Sequence, residues 1–400
     1  MSQHELHTLI KQMKKKISVI IVGLAFAYGL LFISGYDWFL KGIGVIYFTG
    51  HDTAFLEDYR YFDNRAVAAP KVAQPWPEHE QFNQLEVSEA LEDYHKETKS
   101  VAFLVIKNDS LLYEKYYKGY GPSSKSNSFS VAKSMVSALL GKAIMDGYVT
   151  SLDQKVIDFI PELKGTYAQQ VTMRDLSTMA SGMKWDEKYY NPFSVTAAAH
   201  FVSDLTPLIL DQPIIDEPGK SFSYLSGATQ MLGIALTRAT KKTLSDYLSE
   251  SFWKPMGAEQ EALWQLDSEA NGMEKAYCCF ATNARDFARF GKLYKNHGRW
   301  NNTQLLDSTF IAKSIQPRFE ASPEYGYGWW LETYKGQKVF MERGHLGQYV
   351  IVFPELDLII VRLGELKGNR TEDKPYTEDI YIYMDAALEM AENVTQNKPS

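Results

Sequence analysis

The stretch Asn127–Gly147, NSFSVAKSMVSALLGKAIMDG, decides how the rest of the chain is read. Met135, Val136, Leu139, Leu140, Ala143 and Ile144 recur at helical spacing, and Gly147 supplies a stop, so the segment predicts a core helix beginning near Ser130. Positions three apart share a helix face, with Cβ atoms roughly 5–6 Å apart, so the Lys133 amine can reach the Ser130 hydroxyl. Free backbone N–H groups at a helix start favour negative charge, which suits an oxyanion forming on a group attached to Ser130. A partly desolvated lysine loses proton affinity, as a base working near neutral pH requires. The plainer possibility is that Ser130 only caps the helix while Lys133 points to water. Ser-x-x-Lys occurs twice more, at Ser181–Lys184 and Ser251–Lys254. There, glycine at the second position and Pro255 just beyond mark helix exits instead.

The 400 residues, 45% hydrophobic, suffice for a large core in one extended domain or two. A net charge of -7 and the lack of a basic run interleaved with aromatics argue against nucleic acid as a partner. Two adjacent cysteines, Cys278 and Cys279, exclude a disulfide scaffold and are expected as two small, semi-buried residues, since normal disulfide geometry disfavours a bond between neighbours. Eight scattered histidines give no support for a metal site, and no cofactor is expected.

At the N-terminus, KQMKKK precedes the uncharged run Ile17–Gly35, close to the ~20 residues that cross a bilayer. The run is longer than the core of a cleaved signal, and Tyr36, Trp38 and Phe39 follow it as interface aromatics. The expectation is a single-pass anchor at 17–35 in the cytoplasmic (inner) membrane. Residues 1–16 form its cytoplasmic tail, and the remainder is periplasmic or extracellular.

Residues 36–85, Pro-rich over Ala68–Gln81, read as a linker. Ser100–Tyr117 reads as a hairpin turning at Asn108-Asp109, and Gln337–Glu365 as three strands broken at Gly344–Gly347 and Pro354–Asp357. A helix closes the chain over Thr377–Val394, before a frayed tail at 394–400. Strands at both ends around a helix-rich middle predict an α/β (α+β) fold. One antiparallel sheet is drawn from 86–150 and 276–393 and flanked by helices, with a helical part inserted at 151–275.

Further candidates follow from that layout. Tyr224 stands in a turn-like segment before an apolar helical run, with Ser226 beside it; its hydroxyl could relay a proton. His345 stands at a strand entrance where Gly344 and Gly347 permit close backbone approach, and the N–H of Gln348 could complete an oxyanion hole with that of Ser130. Tyr325–Trp330 (YGYGWW) and Lys184–Phe193 (KWDEKYYNPF) suggest an aromatic cleft for an apolar or linear chain. Gly-x-Ser-x-Gly, His-Glu-x-x-His and a complete phosphate-binding loop do not occur.

Taken together, three elements in order resemble the penicillin-recognising serine hydrolases of the class C β-lactamase type, most of all the 6-aminohexanoate-dimer hydrolase and esterase branch. They are Ser130-Val131-Ala132-Lys133, Tyr224-Leu225-Ser226 and His345-Leu346-Gly347. The likeness spans about residues 85–390 and extends to Val171–Glu187 and Ala276–Tyr294. It implies a β-lactamase-like fold and a small-molecule ester or amide substrate, with catalysis by Ser130, Lys133 and Tyr224. Gln348, His345, Gly347 and Ser226 would then serve the oxyanion and the substrate. His345 stands where true β-lactamases carry lysine, and Ser226 where they carry asparagine, which favours esterase- or amidase-type substrates over β-lactams. An acylating penicillin-binding-type receptor without turnover is the alternative that the same motifs allow.

Overall fold

The computed structural model describes residues 3–396, so the end of the expected tail lies outside the described residues. Helices α1 (Gln3–Ile33), α2 (Asp37–Ile46) and α3 (Glu89–Glu97) come first. A middle group follows: α4 (Ala132–Met145), α5 (Met173–Ser177), α6 (Val195–Phe201), α7 (Leu205–Leu210), α8 (Ser226–Thr240) and α9 (Leu244–Leu248). Later come α10 (Ala284–Lys295), α11 (Ser308–Ser314) and α12 (Glu378–Gln396). Six strands precede α10: β1 (Asn64–Val67), β2 (Ser100–Lys107), β3 (Ser110–Tyr116), β4 (Ser126–Asn127), β5 (Ala262–Gln265) and β6 (Phe280–Thr282). Six follow it: β7 (Arg299–Trp300), β8 (Thr303–Gln304), β9 (Trp330–Tyr334), β10 (Gln337–Gly344), β11 (Gln348–Phe353) and β12 (Leu358–Gly364).

The main sheet runs β3-β2-β12-β11-β10-β9, antiparallel throughout, so strands from both chain ends meet at the β2–β12 pair. Asn108 and Asp109 both take positive φ, as a two-residue hairpin turn requires, and they set the β2–β3 register. Alternate residues point to opposite faces. Leu104 and Ile106 of β2 join one core with α4 and α10, whereas Phe103 and Val105 join another with Ile380, Tyr383 and Met384 of α12. Both faces are covered, which is why these strands read as nearly unbroken apolar runs. A smaller antiparallel sheet has the order β1-β5-β6-β4.

Helix α4 is buried on nearly every side, not on one face alone. Ser134 Oγ donates to Gly328 O (2.6 Å) and Ser137 Oγ to Tyr327 O (2.8 Å), so its polar residues are satisfied by the YGYGWW segment packed behind it. That segment is consequently core: Tyr325, Tyr327 and Trp329 are buried.

One expectation at the N-terminus changes. Residues 3–16 continue the same helix as the apolar run, and α1 is long and apolar enough to cross a membrane by length and composition. Residues 36–85 are not a free linker. Helix α2 packs on α6, β1 pairs with β5, and Leu56 and Trp76 are buried. Prolines suppress any hydrogen-bonded periodicity in this strap, yet Trp76 Nε1 donates to Arg285 O (2.9 Å) and holds it to the core. Asp58 lies at its functional end: its Oδ1 accepts from Asn127 Nδ2 (2.7 Å) and Gln265 Nε2 (2.8 Å).

Removing residues 1–35 should therefore leave a protein with a cooperative thermal transition. Removing residues 1–85 deletes β1 and the buried Asp58 acceptor and should abolish that transition in near-UV circular dichroism. An equally cooperative melt for the shorter protein would restore the linker reading.

Candidate active site

The nucleophile candidate is held by its backbone neighbours before any helix begins. Phe129, just ahead of Ser130, takes a left-handed φ of 45°. An aromatic residue adopts that conformation only when the surroundings fix it. Here Phe129 N donates to Asn127 Oδ1 (2.8 Å), and Asn127 is in turn gripped by Asp58. Ser128 N donates to Phe280 O (2.7 Å) and Phe280 N to Ser128 Oγ (3.2 Å), clamping the loop to β6. Residues 129–131 form a single 3-10 turn before α4.

Ser130 is not a helix cap. No side-chain cap bond is found at the start of this turn or of α4, and the Ser130 Oγ instead accepts from Lys133 Nζ at 2.9 Å. Lys133 is 3% exposed, and its Nζ also donates to Tyr277 O at 2.8 Å. Burial pulls the Lys133 pKa down to about 8, and the negative charge of Glu187 acts in the opposite direction. The ammonium thus sheds its proton around pH 8, well below the usual lysine range, and the neutral amine can then take the Ser130 proton through the same short contact.

Tyr224 joins this pair. Its ring lies 5.1 Å from Lys133 Nζ and its hydroxyl interacts with Ser130. Burial raises its pKa, an effect that Ser130 partly offsets, so the phenol keeps its proton at working pH. The ring is wedged against Trp330 and Tyr325, with centroids 5.2 and 6.0 Å away. YGYGWW therefore supports Tyr224 and does not form a cleft wall. Lys184–Phe193 does contribute Tyr189, Tyr190 and Pro192 to a pocket that opens onto Ser130.

The remaining candidates divide. Ser226 lines this pocket, yet its Oγ and N donate to the two oxygens of Glu187 at 2.5 and 2.7 Å. Its hydroxyl is thus engaged by Glu187. His345 also lines the pocket; its Nε2 is 3.3 Å from Thr53 Oγ1, and its ring packs edge-on to Phe129 (5.6 Å). Burial, helped by the charge of Lys367, lowers its pKa to about 4, so it is neutral at pH 7 and cannot act as the cation that lysine provides in β-lactamases. Gly347 is buried off the pocket with φ 88°; a Cβ there would meet Arg362 Nη1 at 2.2 Å, and its carbonyl accepts from that same guanidinium. Gln348 is fully buried, with its side-chain amide spent on His345 O (3.0 Å) and Gly364 O (2.7 Å). Gly344 makes the close approach instead: a Cβ on it would lie 2.3 Å from Ser128 O.

Three participants were missed in the sequence. Glu187 and Tyr189, whose hydroxyl donates to Glu187, sat inside a stretch valued only for its aromatics. Tyr277 acts through its carbonyl, which no side-chain pattern encodes. Cys278 and Cys279, expected as two separate small residues, are bonded to each other and buried, with Cys279 at φ 69°. Their sulfurs lie near His200, but disulfide sulfur is not the thiolate a metal needs.

With the geometry in place, comparison with known proteins settles the lineage. The beta-lactamase sequence family matches residues 87–381. The chain belongs to the beta-lactamase family. It is 25% identical over 301 residues to the 6-aminohexanoate-dimer hydrolase of Paenarthrobacter ureafaciens, covering 68% of this chain and 74% of that protein. A solved Bacillus anthracis structure described as a 6-aminohexanoate-dimer hydrolase superposes with TM-score 0.73 at 22% identity, over 86% of this chain and 94% of that one. The D-amino acid amidase of Ochrobactrum anthropi SV3 superposes with TM-score 0.56 at 17% identity, covering 76% and 97%. These two structures share the fold.

If Lys133 must be neutral to act, the rate of covalent labelling by a fluorophosphonate should rise about tenfold per pH unit below 8 and level off above it. In Glu187→Gln the charge that sustains the ammonium is gone, so the midpoint should move to lower pH. Profiles that are flat in both proteins would remove Lys133 as the base.

Proposed function

We propose that the protein is a membrane-anchored serine hydrolase that cleaves an ester or amide through an acyl-enzyme on Ser130. The observation that carries this reading is the 2.9 Å contact between Ser130 and a buried Lys133 whose pKa is pulled down to about 8. In the first step the Ser130 Oγ attacks the carbonyl carbon while its proton passes to Lys133. The charge that develops on the carbonyl oxygen is held by backbone N–H groups, of Ser130 and of His345. We assign the second donor to His345 in place of Gln348, because His345 follows the glycine pressed on Ser128 and faces the pocket, while Gln348 does not. Preorganised donors of this kind are each worth about 10²–10³ in rate.

Tyr224, still protonated, donates to the departing alcohol or amine and recovers a proton from the Lys133 ammonium. Water then attacks the acyl-enzyme, releasing the acid and restoring the Ser130 hydroxyl. A neutral His345 and a Ser226 held by Glu187 leave no group to grip a β-lactam carboxylate, so uncharged esters and amides are the favoured substrates. The apolar helix α1 is the anchor in this reading, with its lysine-rich end in the cytoplasm and the catalytic body in the periplasm or outside the cell. Deleting residues 1–35 should then move the protein from the membrane to the soluble fraction.

Ser130→Ala should abolish turnover while shifting the melting temperature little, since no cap is lost, whereas Ser181→Ala and Ser251→Ala should remain active. Tyr224→Phe should slow amide hydrolysis at least tenfold more than hydrolysis of activated esters, whose leaving groups need little protonation. Equal losses on both substrate types would reduce Tyr224 to a positioning residue.

A further inference from the structure

The pocket above Ser130 has a composition and a location that the hydrolase reading does not explain. It is open at its mouth and leads down to the Ser130 hydroxyl. Phe39, Ile43, Ile46, Ala54, Ala197 and Phe201 supply its apolar walls. No lysine or arginine is among its lining residues, and His345 is held uncharged. Away from Lys133, which reaches the Ser130 hydroxyl at the pocket floor, the lining offers a carboxylate or phosphate no cation and carries a carboxyl of its own at Asp52, whereas a hydrocarbon chain would find apolar surface leading to Ser130.

The location is as informative. One wall is α2, which starts at Asp37, directly after the apolar helix α1 ends at Ile33. Aromatic rings turned to solvent stand at and beside the pocket: the lining residues Tyr47 and Tyr190 are 58% and 68% exposed, and Phe48 and Phe193, which follow the lining residues Tyr47 and Pro192 in the chain, are 85% and 71% exposed. Phe193 stacks on Phe39 of α2 with centroids 5.2 Å apart, so the rim and the wall are one surface. Large rings in water around a pocket mouth are costly, but aromatic belts suit the headgroup level of a bilayer.

We propose that this is an acyl-chain pocket facing the bilayer surface, and that the substrate is a membrane-resident amphiphile whose long-chain acyl ester or amide carbonyl reaches Ser130. The inference rests on the hydrolase reading and names its substrate class. The chain enters past the aromatic rim and lies along α2. The Ser130 Oγ bonds to the acyl carbon, and the carbon–oxygen or carbon–nitrogen bond to the headgroup breaks as the headgroup takes the proton relayed from Ser130. Water then divides the acyl-enzyme into a fatty acid and free Ser130.

The test uses the full-length protein in phosphatidylcholine vesicles with p-nitrophenyl acetate and p-nitrophenyl octanoate, and with methyl octanoate against octyl acetate. The expected results are a kcat/KM at least tenfold higher for the octanoate of the first pair, and a preference for methyl octanoate in the second. Ile43→Trp and, independently, Ala197→Leu should each lower the octanoate-to-acetate ratio severalfold by filling the pocket. Phe48→Ser with Phe193→Ser, both on the exposed rim, should slow hydrolysis of a vesicle-borne long-chain ester severalfold. A Ser130-dependent activity indifferent to chain length would overturn the acyl pocket and leave the hydrolase reading standing. Preference for octyl acetate would overturn the placement of the chain on the acyl side. An unaltered rim variant would overturn the bilayer as source. No hydrolysis of any of these esters would defeat the hydrolase reading itself.

Discussion

Everything in this active site depends on keeping one lysine dry and within reach of one hydroxyl. An exposed lysine is protonated at neutral pH and useless as a base; burying it without partners would be costly. Lys133 avoids both outcomes by donating to the Tyr277 carbonyl and the Ser130 hydroxyl while almost all of its surface is covered. Glu187, in contact with Ser226 and Tyr189, limits how far the proton affinity falls. The result is a lysine whose pKa is lowered to about 8, beside a tyrosine whose pKa has been driven the other way. Oppositely shifted affinities are what the proposed division between removing and delivering a proton requires.

The geometry is maintained from outside the catalytic motif. Asp58, in the strap that follows α2, holds Asn127, and Asn127 holds the left-handed Phe129 that aims Ser130. The same strap and its preceding helix wall the substrate pocket. The N-terminal strap and α2 are therefore a structural part of the site.

How much of this could be read in the residues depended on whether the information was local. The β2–β3 hairpin and strands β10, β11 and β12 were legible, because branched and aromatic runs ended at turn residues whose conformations are chemically specific. The Ser130–Lys133 contact was legible because side-chain identity and short spacing define it, whereas Tyr224 was singled out by its place before a helical run and by the family resemblance. The strap at 36–85 was not, since its order comes from isolated contacts such as Trp76 with Arg285 and not from a period. Tyr277 was hidden because a carbonyl has no signature, and Glu187 because its meaning lies in Ser226, 39 residues away. Gln348 was assigned from its backbone N–H at the strand edge, and Gly347 from the His345-Leu346-Gly347 motif. A left-handed Leu346 and the Arg362 guanidinium hold that short stretch so that Gly347 stays off the pocket, Gly344 presses on the Ser128 carbonyl and His345 lines the pocket.

The central claim, that Ser130 carries the acyl group, is tested most directly by trapping it. The protein would be mixed with a slowly deacylating ester, quenched in acid within seconds, digested, and mapped by mass spectrometry. The account predicts an acyl adduct on the peptide containing Ser130, lost in Ser130→Ala and strongly reduced in Lys133→Ala. An adduct on another serine, or turnover that continues in Ser130→Ala, would contradict it.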